Sequence, residues 1–266
     1  VLRTAIDSAL PAPSIGILIE AGCDVNESDK ESRTILMDAL LFESSDVLSM
    51  LVQSGADLQA RDSEGAGMAL YAALSGDLAT LRWLDGQGAD WRMVDNNGGN
   101  ALLYAVSSGC TAEVVEFLLD RGVGPNTPDH DGITPLMVAS EQNFTESMSI
   151  LLSKGVDVTA RDTEGKSALH YAAQAGNADS VALLLDSGAE IDGRDQRGMT
   201  PLMCAAATNI DASVVDLLLA RGADPVLKDK AGWNALRYYV RDNADGGKEI
   251  AKSLQKAMKK ARASLF

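Results

Sequence analysis

Residues 162–188 read DTEGKSALHYAAQAGNADSVALLLDSG. Asp162 and Gly165 stand at the first and fourth positions of a turn, where an Asx side chain and a left-handed glycine belong. Ser167 is a good N-cap residue, and the run behind it, Ala168 to Ala173, ends at Gly176, a residue type that accepts the left-handed conformation at a helix end. Val181, Leu184 and Leu185 then fall on one face of a second helix, and Gly188 closes it. The stretch therefore spells turn, short helix, turn, helix. Such a unit buries its apolar sides only against neighbours of its own kind.

Those neighbours are present on both sides. The closing glycine recurs as Gly22, Gly55, Gly88, Gly122, Gly155, Gly188 and Gly222, in steps of 33 or 34. The turn aspartate recurs in the same steps as Asp29, Asp62, Asp95, Asp129, Asp162, Asp195 and Asp229. The cap position holds Thr34, Gly67, Asn100, Thr134, Ser167, Thr200 and Asn234. Pro135 and Pro201 follow two of these caps, at the first helical position, where a missing N–H costs nothing. Nine residues beyond the cap come Gly76, Gly109, Asn143, Gly176, Asn209 and Asn243, and the first helix of each unit is expected to end there. Small residues such as Ala72, Ala73, Ala139, Ala172, Ala205 and Ala206 predict close approach between first helices. The outer-helix apolar set is repeated by Val115, Leu118 and Leu119 and by Val215, Leu218 and Leu219.

In this combination of spacings the chain resembles the ankyrin repeat over nearly its whole length, most closely in residues 162–188 and in residues 195–222 with Thr200-Pro201-Leu202. The family's Thr-Pro-Leu-His motif is incomplete throughout: only His170 supplies its His, and Met37, Leu70, Leu103, Met137, Met203 and Arg237 stand in the other units. The resemblance implies an all-α repeat solenoid of antiparallel helix pairs with projecting β-hairpins. It implies a concave surface of hairpin tips and inner helices that binds proteins. Asn26 and Asn126 sit in the hairpin approach, where asparagines of this family are sometimes hydroxylated in animals.

The expected division is a partial first repeat at 1–28, repeats at 29–61, 62–94, 95–128, 129–161, 162–194 and 195–228, and a capping repeat with a basic last helix at 229–266. In the first repeat Val1 falls at the cap position and Ile15, Leu18 and Ile19 at the outer-helix positions, so the chain is expected to begin inside a repeat. At the other end Ile250, Leu254, Ala257, Met258, Ala261 and Leu265 form one helical stripe opposite the lysines. Repeat 62–94 departs most. Ala69 replaces the usual Leu, Asp85 stands where other units have Leu or Val, and Trp83 is the nearest large side chain to refill the space. This repeat is expected to be the softest.

Composition narrows the function. Apolar residues make up 46% and charged residues 23%, the balance of a folded water-soluble chain. The net charge is −15, and because residues 247–266 carry six Lys/Arg against one acid, the remainder carries −20. An acidic body repels nucleic acid and anionic lipid, and no apolar run is long enough to span a bilayer. Cys23, Cys110 and Cys204 are odd in number and match no metal spacing, a usage that points to a reducing cytoplasmic or nuclear location. No Gly-x-Ser-x-Gly, His-Glu-x-x-His or phosphate-loop pattern occurs. His130 falls on a hairpin tip and His170 on a structural motif position, so neither reads as catalytic. No enzyme activity and no cofactor are expected.

Two patterns mark a partner surface. Four residues past the cap lie Tyr71, Tyr104, Tyr171 and Tyr238, four of the five tyrosines. Tyr is a favoured interface anchor, and its ring also suits packing between adjacent helices. The later hairpin tips carry Arg161, Lys166, Arg194, Arg197, Lys228 and Lys230, beside the tip apolar residues Ile133, Met199 and Trp233. The outer helices are acidic, with Glu113, Glu116, Asp120, Glu146, Asp179, Asp186 and Asp216. The expected partner is an acidic peptide or protein surface along residues 129–242, steered by charge. The expected role is an adaptor or scaffold; an inhibitory or regulatory subunit of an enzyme, or the arm of a larger protein, is the alternative.

Overall fold

The computed structural model describes residues 1–42, 45–208, 212–242 and 248–263. The helix-end expectations at Asn209 and Asn243 and the stripe position Leu265 lie outside them. The chain divides into two compact units, Val1–His130 and Asp131–Phe266.

In the first unit the inner helices are α1 (Leu2–Asp7), α3 (Ile35–Phe42), α5 (Met68–Ser75) and α7 (Ala101–Ser107), and the outer helices are α2 (Ala12–Glu20), α4 (Ser45–Gln53), α6 (Leu78–Gly86) and α8 (Ala112–Asp120). The inner helices pack in chain order, α1 on α3, α3 on α5 and α5 on α7, while α2 packs on α4 and α6 on α8. The second unit repeats the plan. Its inner helices are α9 (Pro135–Gln142), α11 (Ala168–Ala175), α13 (Pro201–Thr208) and α15 (Ala235–Asp242). Its outer helices are α10 (Thr145–Ser153), α12 (Ala178–Asp186), α14 (Ala212–Ala220) and α16 (Lys248–Ala263). Each unit is an all-α repeat solenoid whose helices contact their own hairpin partner and their neighbours in the row.

Local sequence sets the helix limits. The Asn100 side chain accepts the Leu103 N–H at 2.9 Å and Thr134 Oγ1 accepts that of Met137 at 3.3 Å, each satisfying an orphan donor of the first turn. Gly76, Asn143 and Gly176 end α5, α9 and α11 in the left-handed region. Ala72, Ala73, Ala139, Ala172, Ala173, Ala205 and Ala206 are all buried along the seam between inner helices. Leu81, Leu118, Leu151, Leu184 and Leu218, from successive outer helices, are fully buried beneath them.

Repeat 62–94 shows what its departures do. A cleft of about 70 Å³ lies beside Ala69, lined among others by Leu58, Gly67, Leu84 and Met93. Asp85 is not a defect: its carboxylate accepts Trp91 Nε1–H at 2.9 Å and two guanidinium bonds from Arg121, at 2.6 and 2.9 Å. Trp91, rather than Trp83, is the buried indole; it meets Phe117 edge-on at 5.5 Å, and Arg121 lies over the Phe117 ring. The four side chains tie α6 to α8 and its flanking turns through polar bonds where other repeats use an aliphatic contact.

The hairpins are short. The β pairing among the described residues is three isolated antiparallel bridges, Ser28 with Thr34, Arg61 with Gly67 and Val94 with Asn100. In the second unit each tip is closed by one bond from the turn aspartate N–H to the carbonyl four residues on, as from Asp162 to Lys166 and Asp195 to Met199.

Candidate functional site

The tips are assembled from the turn aspartates outward. Asp162 Oδ1 accepts the N–H groups of Glu164 and Lys166, both at 2.8 Å, and Asp195 Oδ1 those of Arg197 and Met199. Each tip is then joined to the preceding one by the main chain: Thr163 N–H donates to Asp131 O at 2.8 Å, Gln196 to Glu164 O at 2.7 Å and Lys230 to Arg197 O at 3.0 Å. This approach fixes the glycines. Gly132 and Gly165 have φ near +80°, and a Cβ on them would stand 2.8 Å from Asp162 Cα and 2.9 Å from Gln196 N.

The tyrosine row uses the other carboxylate oxygen. Tyr71, Tyr104, Tyr171 and Tyr238 donate their hydroxyls to Oδ2 of Asp62, Asp95, Asp162 and Asp229, at 2.8, 2.8, 2.6 and 2.5 Å. Each bond latches a hairpin to the inner helix of its own repeat. Burial, then the carboxylate beside it, pushes the Tyr238 hydroxyl's pKa up. Burial opposes the charge on Asp229, but the Tyr238 hydroxyl and two backbone N–H groups hold its carboxyl below its usual value. Tyr71 and Tyr238 are buried and Tyr104 and Tyr171 half-buried. Of the two uses expected of these rings, packing accounts for Tyr71 and Tyr238, while Tyr104 and Tyr171 keep part of the ring open.

The cations divide into two kinds. Arg161 Nη1 donates to Gly165 O and Arg194 O, both at 2.9 Å, and its Nη2 pairs with Glu190 at 2.6 Å. Arg194 Nη1 donates to Lys228 O at 2.7 Å. These two guanidiniums staple one tip to the next. Lys166 is half-buried, paired with Glu164 at 2.8 Å and 5.7 Å from the Tyr171 ring centre. Arg197, Lys228 and Lys230 are exposed on the rim, with Arg197 beside the Tyr238 hydroxyl. Of the tip apolar residues, Ile133 and Trp233 are half-buried and Met199 is buried. The expected open apolar row is therefore interrupted at Met199.

At α15 the structure adds residues that the spacing did not single out for binding. Arg237 lies over the Trp233 ring, 4.2 Å from its centre, and Arg241 lies 5.2 Å from it. Val240 is exposed and Leu236 only half-buried beside them. The available signal was Arg237 itself, a charge at a position that is apolar or His elsewhere.

The buried histidine and two of the cysteines are held by packing and hydrogen bonds. His170 is fully buried; its Nδ1 accepts the Ser167 N–H at 3.1 Å and its Nε2 faces Met199 O at 3.2 Å. Burial pushes its pKa down. Burial pushes the Cys204 thiol up to about 12 and that of Cys110 up to about 11, away from the thiolate that reactivity requires. His130 is exposed at its tip. Among the described residues no helix is long and apolar enough to cross a membrane.

The fold is that of a repeat protein in which four repeats are closed by their own tyrosine latches. The family model described as Ankyrin repeats (3 copies) matches residues 69–162 and 159–229. The chain belongs to the ankyrin-repeat family, whose members are in general protein–protein interaction modules on a typically non-catalytic fold. No curated protein matches the chain.

Proposed function

We propose that this chain is a non-catalytic adaptor or scaffold that holds an acidic peptide or protein surface along the tip side of its second unit. The observation that carries the reading is the exposure of Arg197, Lys228 and Lys230 on consecutive tips, beside half-open Trp233, in a chain of net charge −15. A local basic rim on an acidic molecule steers an acidic partner to one face and repels it from the rest. Arg161 and Arg194 stiffen that rim by joining its tips, so their contribution to binding is through shape as well as charge.

The experiment is affinity measurement on a partner recovered by pull-down and then purified, with Lys228→Glu combined with Lys230→Glu. Both side chains are exposed, so the fold is retained. Affinity should fall by about tenfold at low salt, with the difference shrinking as salt rises. Equal affinity for both proteins at low salt would remove the charge reading.

A further inference from the structure

In the six repeats from 29–61 to 195–228, two positions of the inner helix are covered. The residue six past the cap is closed off in each: Leu40, Ala73, Val106, Ser140, Ala173 and Ala206 are all at most 1% exposed. The equivalent residue of α15, Val240, is 58% exposed. The residue three past the cap is buried in Met37, Leu70, Leu103, Met137, His170 and Met203, and is the exposed Arg237 in α15. α15 packs on α13 and on α16. Its remaining side is a shallow, open face lined by Trp233, Asn234, Leu236, Arg237, Val240 and Arg241.

This face has the wrong charge to receive another repeat of the usual kind. A repeat's inner helix would bury Arg237 against apolar side chains, and a buried guanidinium left unpaired is strongly destabilising. The chain shows how a cation at such a joint is met: Arg3 on α1 bonds Asp38 on the next inner helix, α3. The Arg237 guanidinium lies over the Trp233 indole, 4.2 Å from its centre, and it is exposed, so a partner's carboxylate can reach it.

We infer that the open side of α15 docks an acidic amphipathic helix of a partner protein, with the partner's apolar stripe on Leu236, Val240 and Trp233 and a carboxylate on Arg237. The inference rests on the binding-module reading and shares Trp233 with the tip rim, but its cation is Arg237 and not the rim's Arg197, Lys228 and Lys230. The probe is a synthetic, fluorescein-labelled helical peptide with Leu at helical spacing and Glu on the flanks, together with its Gln-for-Glu counterpart. Anisotropy should show the Glu peptide binding about tenfold more tightly than the Gln peptide. Arg237→Glu and, separately, Val240→Glu should each weaken it by at least about tenfold. Circular dichroism confirms that each variant is folded. Failure of the Glu peptide to bind, or binding indifferent to Arg237→Glu, overturns the inference and leaves the rim reading standing. Sedimentation showing a dimer dispersed by Val240→Glu overturns it in favour of a second copy as the occupant.

Discussion

His170 stands at the position occupied by Met37 and Met137 in other repeats, where the thioether accepts the cap residue's N–H that the imidazole Nδ1 accepts in its own repeat. The exchange conserves a bond and adds a titration. Because burial lowers the folded pKa of His170 below its ordinary 6.5, the unfolded chain takes up the proton first as pH falls. Stability should then decline as pH drops below about 6.5 and level off once the folded pKa is passed. Urea unfolding midpoints across that window check this, and His170→Met should flatten the decline, since the only other histidine, His130, is exposed. At this scale the sequence yields the phase of a residue more readily than its partner. The tyrosines' shared phase was legible, but their bonds were not, because Oδ2 of an aspartate nine residues back comes within reach only when the hairpin folds over the helix. Met199 looked equivalent to Ile133 by position; its burial is a product of the tips packed around it. Arg161 and Arg194 read as free charge, and their use as staples depends on carbonyls about 33 residues on, brought alongside by stacking.

The second full repeat makes the same point for a whole helix. Ala69 was legible as lost volume, and the cleft of about 70 Å³ beside it is that loss in space. Met93 has moved into part of it: a Cβ on Gly67 would lie 2.5 Å from the Met93 methyl, so the missing cap and the filled space are one adjustment. Ala69→Leu restores the side chain used by the other inner helices and fills the remainder. It should stabilise the protein by about 1 kcal/mol, read as a higher urea midpoint at unchanged slope. A lower midpoint would mean that the neighbours have already closed around the alanine. Asp85 was legible as an intrusion into an apolar row. Its indole and guanidinium donors were not, since Trp91 and Arg121 belong to the loop ahead and the helix end of the next repeat.

Over the whole chain, stability in a row of repeats is the sum of nearest-neighbour terms, so it should vary with how many flanks an element has covered. Helices α11 and α13 have inner helices on both sides, whereas α1 has only α3. Hydrogen exchange followed by mass spectrometry should find the slowest amides in α11 and α13, faster exchange in α1 and α2, and within the interior a faster repeat at 62–94 than at 162–194. Uniform protection would show that the repeats open as one block. The repeat architecture was legible almost entirely, because its signals are local and recur at a fixed period. The open side of α15 was not, because only the packing of its neighbours reveals which side is left uncovered.

The two kinds of bond at the tips have different reach. The aspartate–tyrosine latch closes within a single repeat, while the links from tip to tip run mainly between main-chain N–H and carbonyl groups that every residue but proline possesses. A joint of that sort asks little of the side chains it connects beyond a glycine at the point of closest approach. Copies of one repeat can therefore be inserted, exchanged or altered on their outward face while the seam to their neighbours is left intact, so the architecture can change what it holds by substitution without renegotiating how it is held together.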